Sequence, residues 1–528
     1  MDDEGAYVNS TLPNGVPAPR QLSADAAAAL VPEEATVAVT GSGGGLLEAN
    51  AIFEAVRRRF DQSQTPQGLT LVHSLGIGHP TGRGLELWAE PGLVRRVIGG
   101  HWTWSPTFQR LVVDDRIQAY AWPAGVISQL LREIGARRPG LITRTGLETF
   151  VDPRLGGGRC TPSTVDDLVS VIEMGGCEYL HYQPLAIDVG VIRGSYVDPK
   201  GNLSCADEPA QLDVLAVAQA AKASGGIVIA QAREQVEPEM FDPRLVHVPA
   251  CLIDAIVLEP DQWQTYESVH TPEYSGARIA HEPATVEPAD AGPLERRIIA
   301  GRAAAEVHGG ERINVGFGTA SGVVDVLARG GRLGDVEWLI EQGAIGGQPV
   351  GGDLFGISRG FDALLPSTTQ FDLFSGGVLD RCFLSLAEVD AMGSVNVSLL
   401  GDRLIGPGGF IDISQNAAAA VFCGTFRARG LRVSAQGDRL SIDQEGEITK
   451  FVKEVQQVTY SGPLARRENR PAVFVTERCV FAARDEGLEL VQVVAGVEID
   501  RDIRRLMEFE PIVNNPEFVP LSRYASMD

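Results

Sequence analysis

The chain lacks the long apolar run of a membrane-spanning helix, since no hydrophobic stretch approaches the required length of about 20 residues. It is also poor in positive charge: 45 lysines and arginines stand against 69 aspartates and glutamates, for a net charge of −24. Nucleic acids and anionic membranes need a basic footprint, so we expect neither as a partner. The charge does not exclude a small phosphorylated ligand, because a few arginines and backbone amides can hold a phosphate.

Cysteine pairs and dense histidine clusters are missing as well. The seven cysteines are scattered without a Cys-x-x-Cys motif, and no His-Glu-x-x-His motif is present. This pattern argues against a disulfide framework and against a metal site, and it is typical of reduced thiols. The acidic start Met1-Asp2-Asp3-Glu4 does not resemble the basic region of a secretory signal. We therefore predict a cytoplasmic protein without a bound metal.

Glycine turns and apolar runs alternate along the chain in the order that a parallel α/β fold requires. A length of 528 residues suggests roughly two to four domains. Residues 279–293 carry prolines among small and acidic residues, which is typical of a linker. We predict a loose arm at 1–20, one α/β domain at 21–278 and a second α/β domain at 294–520.

Individual elements follow from the same patterns. Strands are expected at 36–40, 69–73, 110–113, 226–230, 255–258, 312–315 and 336–340, with further β-structure after Pro471. Helices are expected at 46–60, 126–134, 211–224, 294–308 and 323–329. The pattern of strand, glycine turn and helix at 36–60 recurs at 312–329, and the sequence pattern of residues 198–204 recurs at 390–398. Two echoes in the same order suggest a duplicated domain.

The most informative segment begins at Glu341, directly after the strand expected at 336–340. Five glycines stand in the eleven residues that follow this carboxylate. Burying a carboxylate is costly unless it is paired or used, and glycines let a ligand approach the backbone. With no second acid in those eleven residues, Glu341 suits a nucleophile better than an acid/base pair. A tight turn with an exposed glutamate at its start remains the alternative interpretation.

Other motifs carry weaker signals. The turn at 41–45 lacks the third glycine of a dinucleotide-binding motif, because Leu46 stands in its place. The run at 406–409 could present amides to an oxyanion, or it could be a structural hairpin. Glu477 lies beside Arg478 on an alternating strand, which favours a structural ion pair. The histidines are isolated in sequence, and each, including His101 and His181, is interpreted as structural or surface.

Residues 35–515 resemble the class I coenzyme A transferases, most closely the fused-chain acetate, propionate and acetoacetate (3-oxoacid) type. The Glu-x-Gly-x-x-Gly signature that begins at Glu341 is the specific element of this resemblance. The matching stretches run in order along the chain: 99–106, 139–146, 149–154, 156–158, 198–204, 241–246, 341–352, 406–417 and 476–481.

The resemblance implies two related α/β domains with mainly parallel sheets, facing each other across a cleft. It implies that Glu341 attacks an acyl-CoA, giving an acyl-glutamyl anhydride and then a glutamyl-CoA thioester. CoA is then a substrate, the partner substrate is a carboxylic acid, and no metal or other cofactor is required. A homodimer or homotetramer is expected. The CoA-binding residues implied are Gly316, Phe317, Gly318, Thr319, Ala320, Gly406, Gly408 and Gly409.

One departure from the family concerns the acyl site. Where members commonly carry Pro-Gln-Gly, this chain has Pro123-Ala124-Gly125. Loss of the glutamine would enlarge or depolarise an acyl pocket formed by Ala124, Trp122 and Gly343, and a bulkier acid is then expected. Trp122 could equally be plain core. Two alternatives to CoA transfer stay open: acyl-CoA hydrolysis on the same scaffold, if the change to Ala124 admits water, and a non-catalytic ligand-binding protein, to which the glycine turns alone would point.

Overall fold

A computed structural model describes residues 18–237, 242–277 and 292–524. The elements of the N-terminal half are, in chain order, β1 (Arg20–Gln21), α1 (Ala24–Ala28), β2 (Thr36–Val39), α2 (Asn50–Ser63), β3 (Leu69–His73), β4 (Val94–Gly99), α3 (Pro106–Val113), β5 (Gln118–Ala121), α4 (Ala124–Gly135), β6 (Leu141–Thr143), β7 (Val169–Met174), β8 (Cys177–Tyr182), β9 (Val189–Val197), β10 (Leu203–Ser204), α5 (Val214–Ala223), β11 (Ile227–Gln235) and β12 (Ala255–Leu258).

The main sheet of this half is open and parallel. Its order is β1-β12-β11-β9-β2-β3-β4-β5, and every neighbouring pair along this path runs parallel. Only β10, which pairs with β9, is antiparallel in this sheet. The strands β6, β8 and β7 form a separate small antiparallel sheet.

The elements of the C-terminal half follow in chain order. They are α6 (Leu294–Ala304), β13 (Arg312–Val315), α7 (Gly322–Arg329), β14 (Glu337–Trp338), β15 (Ala344–Ile345), β16 (Gln348–Pro349), β17 (Ser358–Arg359), β18 (Ala363–Leu364), α8 (Ser367–Ser375), β19 (Arg381–Ser385), β20 (Glu388–Val389), β21 (Val395–Asn396), β22 (Leu399–Leu400), β23 (Arg403–Leu404), α9 (Phe410–Asn416), β24 (Ala419–Cys423), β25 (Arg427–Ala428), β26 (Arg432–Gln436), β27 (Arg439–Gln444), β28 (Ile448–Thr449), α10 (Gly462–Arg467), β29 (Ala472–Val475), β30 (Cys479–Arg484), β31 (Gly487–Val494) and β32 (Ile512–Val519).

The second sheet has the order β14-β13-β19-β24-β29-β30-β31-β32. It is parallel from β14 to β29, turns antiparallel at β30 and β31, and ends on the parallel pair β31-β32. Open, mainly parallel sheets flanked by helices confirm the predicted fold class.

The two sheets share a common plan. The path β3-β2-β9-β11-β12 in the first corresponds to β14-β13-β19-β24-β29 in the second, and both are wholly parallel. The turn after β9 and the loop after β19 also match. Asp198 Oδ1 accepts the amides of Lys200 and Asn202, and Asp390 Oδ1 accepts those of Met392 and Ser394, all at 2.9 Å. The duplication suggested by the sequence echoes agrees with this topology.

The halves pack directly on each other through α4 and α8. A Cβ added at Gly125 in α4 would lie 2.6 Å from the ring of Phe371 in α8, so only glycine allows this approach. Gln129 of α4 also donates to Asp372 of α8 at 2.9 Å. The loops at the ends of the central strands therefore face each other across a narrow space.

Several expected elements differ from the structure. The helices expected at 211–224 and 294–308 are shorter, at Val214–Ala223 and Leu294–Ala304, and the strand expected at 336–340 is reduced to Glu337–Trp338. Two further differences have an identifiable physical cause. Residues 110–113 were expected as a strand but form the end of helix α3, whose first turn carries Pro106 and whose buried face carries Phe108, Leu111 and Val112. A four-residue apolar run does not distinguish a strand from a buried helical turn. The helix expected at 46–60 begins only at Asn50, because Leu47 adopts a positive φ of 52°.

The predicted arm and linker lie mostly outside the described residues. Of the arm at 1–20 the structure describes residues 18–20, and of the linker at 279–293 it describes Gly292 and Pro293. The proposed domain limits therefore stay predictions.

Candidate active site

Glu341 stands at the turn that leaves β14. The amide of Gly343 donates to Ile340 O at 2.9 Å and closes this turn. Gly343 has a φ of 116°, and a Cβ there would lie 1.9 Å from Leu365 O, so no other residue fits without moving the backbone. The glycine two residues after Glu341 thus fixes the direction of the carboxylate.

The Glu341 carboxylate has little polar support. Its Oε1 accepts a long hydrogen bond of 3.3 Å from Gln342 Nε2. Its Oε2 packs against Gly409, where an added Cβ would come within 1.9 Å of this oxygen. Burial raises the pKa of Glu341 to about 7, and the bond from Gln342 lowers it only in part. A carboxylate with few donors around it is a better nucleophile than one held by cations.

Glu341 opens onto a cavity of about 420 Å³ between the two halves. The side chain is half-buried because part of its surface faces this space. Among the described residues, the N-terminal half contributes Ser42, Gly43, Leu75, Gly76, Pro80, His101, Thr103 and Trp104 to the wall, and the C-terminal half contributes Asn314, Gly316, Phe317, Glu341, Gln342, Asp353, Phe355, Leu384, Ser385, Val397, Arg403, Ile405, Gly406, Pro407, Gly408, Gly409, Phe410 and Ile413.

The loop at 406–409 is held from both sides. The Gly408 amide donates to Gly100 O at 2.7 Å, across the halves, and the Gly406 amide donates to Ser398 O at 3.0 Å. Two of the three glycine amides expected to face a ligand are therefore already used. In the described part of the chain the Gly409 amide has no such partner, so it is the remaining donor that could meet an oxyanion beside Glu341.

The loop at 316–320 contributes its first two residues to the cavity. Gly316 and Phe317 line the wall, whereas Gly318, Thr319 and Ala320 do not. Phe317 is 51% exposed and lies edge-on to Trp104 of the other half and to Phe355, with ring centroids 6.2 and 5.6 Å apart. The aromatic contact joins the two halves at this side of the cavity.

The three residues expected to form the acyl pocket do not line the cavity. Trp122 is fully buried, donates from Nε1 to Gly157 O at 3.3 Å and packs edge-on against Tyr120 and Tyr182, which makes it a core residue. Ala124 is also fully buried, and its amide donates to Gly408 O at 2.8 Å. Ala124 thus supports the glycine loop from behind, and Gly343 holds the turn described above.

His101 was interpreted as structural or surface, and the structure places it on the wall of the cavity that contains Glu341. Its ring lies beside Gly76, and its Nε2 is 3.4 Å from Thr103 Oγ1. Burial, with smaller effects of His73 and Arg403, lowers the pKa of His101 to about 4, so the imidazole is neutral near pH 7. The position of His101 in the family-like stretch 99–106 was the one sequence signal for it.

A second buried acid, distant in sequence, lies near Glu341. Asp412 of α9 accepts the amide of Gly125 at 3.1 Å, at the N-terminus of α4. Burial raises the pKa of Asp412 well above its usual range, and the charge of Glu341 adds to this effect.

The rival carboxylate Glu477 is by contrast paired: its Oε1 lies 2.6 Å from Arg478 Nε, and both side chains are fully buried. The predicted structural ion pair is confirmed.

Known proteins resemble the chain over nearly its whole length. A family model for coenzyme A transferase matches residues 21–259. Acetate CoA-transferase YdiF of Escherichia coli K12 is 37% identical, over 93% of this chain and 92% of YdiF. Caffeate CoA-transferase of Acetobacterium woodii is also 37% identical, over 93% of this chain and 95% of its own.

Solved structures agree with these relatives. The apoenzyme of the acyl-CoA transferase YdiF from E. coli O157:H7 matches with a TM-score of 0.91 at 36% identity, covering 96% of each chain. A thioester complex of that YdiF with CoA matches with a TM-score of 0.90 at 35% identity. The fold and the relatives define an enzyme of CoA-dependent group transfer. The chain belongs to the coenzyme A transferase family and is a CoA-transferase.

The structure also bears on the predictions made for disulfides, metal sites and membrane-spanning helices. All seven cysteines are free thiols. Across residues 18–237, 242–277 and 292–524, no three histidine, cysteine or acidic side chains are grouped so as to hold a metal ion. None of the helices in these ranges is long and apolar enough to cross a membrane.

Proposed function

We propose that this chain transfers CoA from an acyl-CoA to a carboxylic acid in a ping-pong reaction on Glu341. The observation that carries the proposal is the half-buried, nearly unpartnered Glu341 carboxylate on the wall of a cavity shared by both halves. The thioester complex of the related YdiF with CoA supports a covalent CoA intermediate in this family. Acyl-CoA and carboxylic acid are then the two substrates.

The reaction divides into two balanced steps for each substrate. A Glu341 oxygen attacks the thioester carbonyl, the carbon–sulfur bond breaks, and CoA leaves as a thiolate with the electron pair. The thiolate then attacks the glutamyl carbonyl of the anhydride, the carbon–oxygen bond on that side breaks, and the first acid leaves as a carboxylate. The glutamyl-CoA thioester reacts with a second carboxylate through the same steps in reverse.

The cavity suits these steps in two ways. Gly409 lies against Glu341 Oε2, and its amide has no hydrogen-bond partner in the described part of the chain, so we assign to it the donor for the oxyanion that develops at the glutamyl carbonyl. Losing one such donor typically costs on the order of 3 kcal/mol of transition-state stabilisation. Apolar walls from both halves limit water around the anhydride and the thioester, which would otherwise hydrolyse.

The loop at 316–320 and the loop at 406–409 are proposed to hold CoA. In this assignment Gly316 and Phe317 contact CoA from the cavity wall, and Gly318, Thr319 and Ala320 shape the turn behind them. Gly406 and Gly408 act by letting the backbone approach the ligand rather than by donating their amides, since these amides are used. A cytoplasmic homodimer or homotetramer, with domains at 21–278 and 294–520, completes the proposal.

Initial-rate kinetics test the proposal. With acyl-CoA and acid varied together, we expect the parallel double-reciprocal lines of a ping-pong enzyme, and loss of turnover in Glu341→Gln. Glu337→Gln removes an exposed carboxylate from the neighbouring strand and serves as the matched control, with unchanged kinetics. Intersecting lines, or full activity in Glu341→Gln, would overturn the mechanism.

No specific observation favours either alternative, hydrolysis or a non-catalytic ligand-binding protein. Hydrolysis was suggested by the change to Ala124, but this residue is fully buried, does not line the cavity and bonds to Gly408 O through its amide. A non-catalytic protein does not require the desolvated carboxylate at Glu341. Thioester loss without an acceptor acid, at the rate of transfer, would restore hydrolysis.

A further inference from the structure

A cation stands on the wall of the Glu341 cavity without an anionic partner. Arg403, the first residue of β23, lines the cavity together with Glu341 and His101. In the described part of the chain its guanidinium makes one hydrogen bond, a long one of 3.4 Å from Nε to Gln109 Oε1, and no ion pair. Its two terminal nitrogens thus remain free to bind a ligand.

The backbone that carries Arg403 is fixed in place. Gln109 of α3 donates from Nε2 to Leu404 O, and the Leu404 side chain is buried. The amide of Trp102 donates to Ile405 O at 2.8 Å. The backbone next to Arg403 is therefore anchored to the N-terminal half, while the exposed Arg403 side chain is held by the single long bond to Gln109.

The other charges of the cavity make an isolated arginine significant. Among the described wall residues, Arg403 is the one lysine or arginine, whereas Glu341 and Asp353 are acids. The pKa of His101 is about 4, so this ring adds no positive charge near pH 7. Among the charged side chains of the described wall, Arg403 is thus the one that attracts an anionic substrate, whereas ionised Glu341 and Asp353 repel it.

We propose that Arg403 is the anion-binding residue of this cavity and holds an oxyanion carried by the substrate. The oxyanion is either a second carboxylate at the far end of the acyl group or a phosphate of CoA. A guanidinium suits both, because its planar fork donates two parallel N–H bonds to carboxylate or phosphate. This inference rests on the proposed function, since it takes the cavity as the substrate site. It makes Arg403 a determinant of specificity, separate from the chemistry at Glu341.

Binding of four single probes to the full-length chain tests the inference without turnover. The probes are CoA, pantetheine, butanedioate and butanoate, titrated calorimetrically at pH 6, where the Glu341 pKa of about 7 leaves that carboxyl mostly protonated. The variants are Arg403→Gln and Arg403→Lys. The matched control is Arg439→Gln, which removes an exposed arginine of β27, outside the cavity wall.

If Arg403 holds a phosphate, Arg403→Gln weakens CoA binding about tenfold or more and leaves pantetheine unchanged. If it holds a distal carboxylate, the same variant weakens butanedioate by that factor and leaves butanoate unchanged. Arg403→Lys retains part of the affinity, and Arg439→Gln retains all of it. The inference is overturned if no probe depends on Arg403, or if charged and uncharged probes weaken equally. Either failure leaves the nucleophile at Glu341 to be judged by its own kinetics.

Discussion

The desolvated carboxylate of Glu341 should make the protein less stable than its Glu341→Gln variant at alkaline pH. The pKa of Glu341 is raised from 4.5 to about 7 by burial. A folded-state pKa above the unfolded one means that the protonated form stabilises the fold below pH 4.5 and that this stability is lost as the pH rises through 7. The full shift corresponds to about 3 kcal/mol, since one pKa unit is worth about 1.4 kcal/mol.

Urea unfolding of both proteins between pH 5.5 and 8.5 measures this effect. Because the amide of glutamine does not titrate, the free energy of unfolding of Glu341→Gln should exceed that of the wild type by an amount that grows by about 2 kcal/mol over this interval. Glu337→Gln, at an exposed site, should show a difference that does not change with pH. A flat difference for Glu341→Gln, or a variant that is less stable at pH 8.5, would refute the reasoning.

Three further changes separate catalysis from structure. Gly409→Ala places a Cβ 1.9 Å from Glu341 Oε2 and should lower kcat about a hundredfold or more, whereas Gly334→Ala, with open space around it, should not. Glu477→Gln removes the closest charge from buried Arg478, which keeps its ion pair with Glu445, and should cost about 1–3 kcal/mol in urea unfolding; an unchanged midpoint would contradict the structural role. Trp122→Phe loses the bond to Gly157 O and should cost about 1–3 kcal/mol, with no change in the preference among acyl-CoA donors; altered preference would return Trp122 to the acyl site.

The sequence correctly predicted those strands and turns whose structure depends on residues close to one another in the chain. The strands at 69–73, 255–258 and 312–315 lie where the β-branched runs placed them. The paired Asp198 and Asp390 turns were visible as a repeat, because each depends on hydrogen bonds within four residues. Glu341 was identified for a similar reason, since the turn that carries it needs Gly343 two residues later.

The composition of the cavity wall could not be predicted from such short sequence patterns. His101 and Arg403 lie some three hundred residues apart in sequence and reach one wall only because the halves pack through α4 and α8. Ala124 and Trp122 were expected at the acyl site from a change in one family motif, but the direction of a side chain at a strand end depends on the core behind it. The commitment of the Gly406 and Gly408 amides likewise follows from contacts across the halves and along the loop.

The central claim is that the Glu341 side chain becomes covalently bonded to CoA. Incubation with an acyl-CoA, followed by proteolysis and mass spectrometry, should reveal a CoA-sized addition on the peptide that contains Glu341, and adding an acceptor acid should remove it. The same treatment of folded Glu341→Gln should give no addition. An unmodified Glu341 peptide in a wild-type protein that is turning over substrate would contradict the account.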